Sequence, residues 1–277
     1  MERLQAAITK ARNEQTLETS EQVVRRRAVG LGNDSEPTAL WQGLPEVTLD
    51  ARMLHRNRVV AMDTSAAATP FDMLRTRALR IMQEQGWRRL AITSPTPACG
   101  KSTIAWNLAC SMARQPNTRA IASEADMRQP RQNQMLGLSR GESRSGTLAD
   151  VLSGQASFGD VAVRYDNGLA LLTNEGPVRN ASDIFLGGSV GKVLSQIEAD
   201  YEPHAMIFDM PPVLVNDDTM AFMQHVDCVL IVAAAERSTI AEIDRCERDL
   251  ASQTNGMGVG MNKCQFTPSE YGSNYGY

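Results

Sequence analysis

Gly100, Lys101 and Ser102 are the residues whose types and order most directly suggest chemistry. They close the run Ser94-Pro95-Thr96-Pro97-Ala98-Cys99-Gly100-Lys101-Ser102-Thr103. An apolar segment, Leu90 to Thr93, precedes the run and an apolar-periodic stretch beginning at Ser102 follows it, so the three residues fall where a strand turns into a helix. A helix that starts there aims unsatisfied backbone N–H groups and the positive end of its dipole at one point, which suits a polyphosphate. The segment Thr96, Pro97, Ala98, Cys99, Gly100, Lys101, Ser102 and Thr103 therefore reads as a nucleotide-binding loop. Lys101 would reach the β- and γ-phosphates of ATP, and the Ser102 hydroxyl would ligate Mg²⁺. The pattern G-x-x-x-x-G-K-[ST] is missed at one place, because Pro95 stands at its first glycine. Only four of the 28 lysines and arginines are lysines (Lys10, Lys101, Lys192, Lys263), which singles out a lysine in this loop.

Two further strand signals end in acids. Arg119 to Ser123 runs into Glu124-Ala125-Asp126-Met127-Arg128, and Ala205-Met206-Ile207-Phe208 ends in Asp209-Met210-Pro211-Pro212. Parallel sheets bind ligands at the carboxyl ends of their strands, so Glu124 and Asp126 are expected to face the phosphates and the metal. Their alternate spacing would send both to the same side. Asp209 caps an apolar strand, as a metal-holding Walker B aspartate does, and the two prolines stop that strand.

The elements that must position these residues follow a repeating strand/helix order. Val59 to Met62 reads as a short strand or extended segment, and Phe71 to Gln85 as a helix with Phe71, Leu74, Ala78, Leu79 and Met82 on one face. Helices are expected at 102–114, Thr147 to Ser153, 183–199 and Thr239 to Gln253, with strands at Leu169 to Thr173, Cys228 to Ala233 and Gly258 to Met261. That alternation means an α/β fold with a doubly wound, mostly parallel sheet between helical layers, the three-layer α/β/α architecture of P-loop NTPases. Residues 1–55 read as a polar N-terminal extension, partly helical or disordered, that includes Arg25-Arg26-Arg27 as solvated surface. Residues 56–265 read as the ATP-binding domain, and 266–277 as a flexible tail.

With 42% hydrophobic residues and a net charge of −4, the chain can build a core, and its charge gives no footprint for nucleic acid. The five cysteines are scattered and without C-x-x-C spacing, so neither a disulfide framework nor a zinc site is expected and a reducing cytoplasm fits. Cys99 reads as a small residue filling a tight turn. The start lacks the apolar core of a signal peptide, and the longest apolar run, Val226 to Ala235, is too short to span a bilayer. The expectation is a soluble protein that meets a membrane only through a partner.

Three of the five tyrosines, Tyr271, Tyr275 and Tyr277, fall in the last seven residues on a Gly/Ser/Asn background. Beside an ATP site they read as phosphoacceptors. Together, the loop 94–103, the Glu124-Ala-Asp-Met-Arg run, Ile207-Phe-Asp-Met-Pro-Pro and the tyrosine cluster resemble the bacterial tyrosine kinases of exopolysaccharide and capsule biosynthesis. The resemblance is to their soluble cytoplasmic form, which pairs with a separate membrane activator, and covers residues from about 55 onward.

By that resemblance the catalytic residues are Lys101, Glu124, Asp126 and Asp209, with Mg²⁺ held by Ser102, Asp126 and Asp209. Asn262 would lie on the base side of ATP, and the acceptors would be the tail tyrosines of a neighbouring copy in a ring-like homo-oligomer. The partner implied is a membrane polysaccharide co-polymerase that activates the kinase, which would place the chain at the inner membrane. Two residues depart from the pattern. Glu124 stands where the family has aspartate, and Asp72 stands where its oligomer-forming helix has arginine, leaving Arg75 alone. These departures keep open a second reading, a nucleotide-binding regulatory subunit with weak or no kinase activity. A partitioning ATPase of related fold is a third, opposed by Thr96 at the position where those enzymes carry a signature lysine.

Overall fold

The structure is a computed structural model that describes residues 39–138 and 146–264. Most of the expected N-terminal extension, with its arginine triplet, and the tyrosine tail lie outside the described residues.

Seven strands form one sheet in the order β3-β4-β2-β5-β1-β6-β7. They are β1 (Arg89–Thr93), β2 (Ala120–Glu124), β3 (Val163–Tyr165), β4 (Leu169–Leu172), β5 (Ala205–Asp209), β6 (Cys228–Ala234) and β7 (Asn255–Asn262). All neighbours pair in parallel except β3, which runs antiparallel to β4 at one edge. The expected mostly parallel sheet is present. The β3 strand is too short to leave a periodic signal and was not expected.

Side-chain alternation along the strands builds the layers. Ala91, Ile121, Met206, Phe208, Val229 and Ile231 face one buried cluster, while Leu90, Ile92, Ala122, Ile207, Leu230 and Val232 face the other. Strands buried on both faces require helices on both, hence three layers. The early helices are α1 (Ala39–Gln42), α2 (Ala51–Arg56), α3 (Thr69–Gln85), α4 (Lys101–Ala113), α5 (Gln132–Leu136), α6 (Leu148–Ser153) and α7 (Phe158–Val161). The later ones are α8 (Ala181–Phe185), α9 (Val190–Tyr201), α10 (Asp218–Phe222) and α11 (Ile240–Ala251). Helices α3 and α4 lie on the Leu90/Ile92 face, whereas α6, α8, α9 and α11 cover the other.

Three expectations need correction. Residues 39–55 are part of the packed domain rather than an extension: Trp41 is fully buried, its indole N–H donates to the Asn167 carbonyl at 3.0 Å, and Leu44, Val47, Leu49 and Leu54 are buried. Isolated apolar residues in a Gly/Pro-containing stretch hid that packing. Val59 to Met62 is not a strand, because the Val60 and Ala61 amides donate to the Asn107 side chain of α4 at 2.7 and 2.9 Å instead of to a sheet. The helix expected over 183–199 is two helices, α8 and α9, broken at Gly187-Gly188, where a Cβ on Gly187 would stand 2.9 Å from the Ile184 carbonyl oxygen.

Candidate active site

The sheet register assembles the site. Strand β5 lies between β1 and β2, with Asp209 level with Ile92 on one side and Glu124 on the other. The loop after β1, the last residue of β5 and the last residue of β2 therefore meet at one crevice, the place where an open parallel sheet binds ligands.

The loop itself is held in an unusual backbone. Ala98 and Gly100 both have positive φ, 64° and 94°. Such a turn lets successive amides point inward at the start of α4. The end of β7 secures it from outside: Asn262 Nδ2 donates to the Cys99 carbonyl at 2.8 Å and Lys263 Nζ to the Ala98 carbonyl at 2.6 Å. Inside the loop, Ser94 Oγ donates to the Thr96 carbonyl at 2.9 Å, and the Cys99 thiol, 1% exposed, donates to the same oxygen at 3.2 Å. Cys99 is the small buried filler its place suggested. Asn107 Nδ2 caps the Thr103 carbonyl at 2.8 Å, so the first turn of α4 is fixed as well.

Lys101 lies across the crevice. Its Nζ donates to Asp126 Oδ2 at 2.8 Å and to Asp209 Oδ1 at 3.4 Å, and the Ser102 hydroxyl also bonds Asp209. The Asp126 amide donates to the Asp209 carbonyl at 2.8 Å, which joins the two carboxylate-bearing segments directly. Burial alone would depress the Lys101 ammonium, but the charges of Asp209 and Asp126 outweigh it and raise its pKa above the ordinary lysine value. One ammonium between two carboxylates leaves a negative charge in excess. That excess, with burial foremost, raises the proton affinity of Asp209, which is 2% exposed.

The donor set fits a magnesium nucleotide. The Ser102 hydroxyl and the oxygens of Asp126 and Asp209 are hard ligands around a site short of positive charge, and the start of α4 carries free amides for phosphate. Among the described residues no group of three or more His, Cys, Asp or Glu forms a metal cage. Magnesium held by one or two carboxylates plus substrate phosphates needs none.

Glu124 behaves differently from the expectation. Asp126 meets Lys101, whereas the Glu124 carboxylate at the end of β2 meets backbone amides. Its Oε1 accepts the amides of Arg131 and Gln132 at 2.6 and 2.8 Å, and Oε2 accepts the Asn174 amide at 2.9 Å. Glu124 therefore ties two loops to β2. Burial, with a contribution from the Asp209 charge, pushes its carboxyl up to about 8. A folded-state value above the unfolded 4.5 means that the native protein keeps a proton the unfolded chain has lost, so this contribution to stability falls as pH rises and levels off above about 8. Unfolding measurements between about pH 5 and about pH 9 are expected to show that loss in the wild type and a flatter profile in Glu124→Gln. Matching profiles would mean that the three amides keep the carboxylate ionised throughout.

Asn262, expected on the base side of ATP, has both ends of its carboxamide engaged within the chain, Nδ2 by the Cys99 carbonyl and Oδ1 by the Lys263 amide at 2.8 Å. The described residues bring together Lys101, Ser102, Asp126 and Asp209, while Tyr271, Tyr275 and Tyr277 lie outside them. Sequence reading missed Gln132, whose Nε2 donates to Asp209 Oδ2 and which carries no signal in a polar run. Arg128, which closes the Glu124-Ala-Asp-Met-Arg run, grips the buried Asp218 of α10 with two bonds. Away from the crevice, Asp72 on α3 collects Arg75, Arg114 and the Ser111 hydroxyl, so Arg75 is engaged within the chain.

Comparison with known proteins gives the lineage. The chain is 30% identical over 211 residues to a putative tyrosine-protein kinase, EpsB, of Ralstonia nicotianae, covering 73% of this chain and 27% of that protein. It is 24% identical to the putative tyrosine-protein kinase CapB of Staphylococcus aureus, covering 77% of this chain and 90% of CapB. The chain thus spans about a quarter of the length of EpsB and nearly all of the shorter CapB. The kinase domain of Escherichia coli tyrosine kinase ETK superposes with a TM-score of 0.65 at 23% identity, over 79% of this chain and 84% of that one. Cobyrinic acid a,c-diamide synthase from Mycobacterium smegmatis, with bound ADP and magnesium, superposes at 0.54 with 19% identity over 63% of this chain and 73% of that one. No protein-family profile matches. The fold, the ordered motifs and these relatives agree in making the chain a homologue of proteins named bacterial tyrosine-protein kinases.

Proposed function

We propose that the chain is an ATP-dependent protein-tyrosine autokinase that phosphorylates Tyr271, Tyr275 and Tyr277 of a neighbouring copy and so regulates the polymerisation and export of an exopolysaccharide or capsule. The observation that carries this reading is Lys101 at the head of α4, bonded to the carboxylate that ends β5 and to the one just past the end of β2. Phosphoryl transfer asks a protein chiefly for positioning and charge neutralisation, and this group supplies both.

Bound Mg·ATP would bring the phosphoryl group and the cation that offsets the site's excess negative charge. Lys101 would then exchange carboxylate partners for phosphate oxygens, the amides at the start of α4 would cradle the phosphates, and Ser102, Asp126 and Asp209 would hold the metal. Asp126, 15% exposed on its side chain against 2% for Asp209, is the carboxylate open enough to meet an incoming tyrosine hydroxyl. The neighbour with bound ADP and magnesium supports this choice of cofactors. Pairing with a membrane activator, and a place at the inner membrane through it, belong to the same proposal. Among the described residues no helix is long and apolar enough to cross a membrane.

The competing reading, a nucleotide-gated regulatory subunit, draws support from Glu124, spent on backbone amides, and from Asp72, which occupies Arg75. Intact-mass measurement after incubation with Mg·ATP separates them. Phosphate increments that vanish in the triple variant Tyr271→Phe, Tyr275→Phe, Tyr277→Phe support the kinase. Nucleotide bound without any increment, with an activator's cytoplasmic segment supplied, supports the regulatory subunit.

A further inference from the structure

Gln132 stands against the innermost carboxylate of the site. It opens α5, is 3% exposed, and its backbone amide is fixed by Glu124 Oε1 at 2.8 Å. From that anchor its side chain reaches Asp209 and donates from Nε2 to Oδ2, the oxygen opposite the one that faces Lys101. The orientation of the carboxamide is dictated by chemistry: a carboxylate oxygen only accepts, so the NH₂ end must face it. The other end, Oε1, is then a buried acceptor, and among the described residues it has no hydrogen-bond partner.

A buried carboxamide oxygen without a partner costs free energy, and its place beside a catalytic aspartate suggests a use. We propose that Gln132 is a positioning residue of the nucleotide site: it holds Asp209 so that Oδ1 faces Lys101, and its buried, unpartnered Oε1 accepts a hydrogen bond from a proton donor once the hydrated metal nucleotide is seated. This rests on the site being a nucleotide site and deepens that reading. It also gives the extra methylene of Glu124 a purpose. Glu124 sets the amides of Arg131 and Gln132, Gln132 sets Asp209, and the chain of contacts runs from β2 to the Walker B position without Glu124 touching the ligand.

Two variants test it. Gln132→Met keeps length and volume but removes both the donor and the open acceptor. Gln132→Glu keeps an acceptor while turning an oxygen towards Asp209, where only a protonated carboxyl can donate. The readouts are thermal unfolding of the nucleotide-free protein and the dissociation constant of Mn·ATP, with Mn²⁺ followed by electron paramagnetic resonance, alongside phosphotyrosine yield.

For Gln132→Met the expected result is nucleotide-free stability close to wild type and Mn·ATP binding weakened about tenfold or more. For Gln132→Glu, whose ionised carboxylate cannot donate to Asp209, it is binding weakened by at least as much. Wild-type Mn·ATP affinity in Gln132→Met would overturn the proposal and leave Gln132 as packing. So would wild-type Mn·ATP affinity in Gln132→Glu. Because binding is read apart from transfer, wild-type protein that binds Mn·ATP but forms no phosphotyrosine would remove the kinase reading while leaving this one standing.

Discussion

Lys101→Ala is expected to lower phosphotyrosine formation by about 10²- to 10³-fold, the scale of losing one preorganised charge-stabilising donor from a transfer site. The same change is expected to lower folding stability by about 3–5 kcal/mol, because removing one member of a buried ionic group leaves the others uncompensated. Asp209 is 2% exposed and Asp126 15%, and both would lose their shared cation. The sign of the pH dependence follows. Asp209, whose pKa is raised by burial and by the Asp126 charge, loses the ammonium that opposes that rise, so the variant gains stability as pH falls and loses it as pH rises. Urea unfolding of wild type and variant at neutral and at mildly acidic pH checks this, with the gap between them narrowing in acid. An unchanged gap would mean that the three charges are not in contact in solution.

Gly100→Ala is expected to have the next largest effect. A Cβ at this position would stand 2.2 Å from Asn262 Nδ2, and the φ of 94° is one that an L-residue with a side chain resists. Both costs fall on the loop that must wrap the phosphates, and strained backbone of this kind costs about 1–3 kcal/mol. The loop would relax by giving up the Asn262 contact with the Cys99 carbonyl, and the inward amides would lose their alignment. Equilibrium titration with a fluorescent ATP analogue is expected to show affinity down at least about tenfold, which matches that energy range. Combining it with Asn262→Ala removes the clash and leaves the φ penalty, so partial recovery is expected. Wild-type affinity in Gly100→Ala would refute the tight packing of β7 against the loop.

Much of this site could be read from sequence because its logic is local. A strand, a Gly-Lys-Ser turn and a helix form one contiguous device, and Asp126 and Asp209 announce themselves by standing at or just past the ends of apolar strands. Their meeting at Lys101 is then fixed by a parallel sheet whose register places β5 between β1 and β2. What stayed hidden depends on contacts distant in sequence. Glu124 reads as a catalytic residue facing the phosphates because it shares a motif with Asp126, yet its surroundings are set by amides seven, eight and fifty residues away. Gln132 sits among polar residues and gains its place only when α5 is anchored beneath Asp209. Trp41 stands in a stretch with no periodicity, and its burial comes from a core cluster distant in sequence, with the Asn167 carbonyl between β3 and β4 accepting its indole N–H.

The most direct test of the kinase reading mixes two inactive halves. One protein carries Lys101→Ala with its tail intact; the other has an intact site but phenylalanine at Tyr271, Tyr275 and Tyr277. Neither should acquire phosphate when incubated alone with Mg·ATP and an activator's cytoplasmic segment. In the mixture, mass spectrometry should find phosphate on the tail tyrosines of the Lys101→Ala protein, which only transfer between copies can deliver. A mixture that binds nucleotide yet leaves those tyrosines unmodified would contradict the autokinase and leave a nucleotide-gated regulatory subunit in its place.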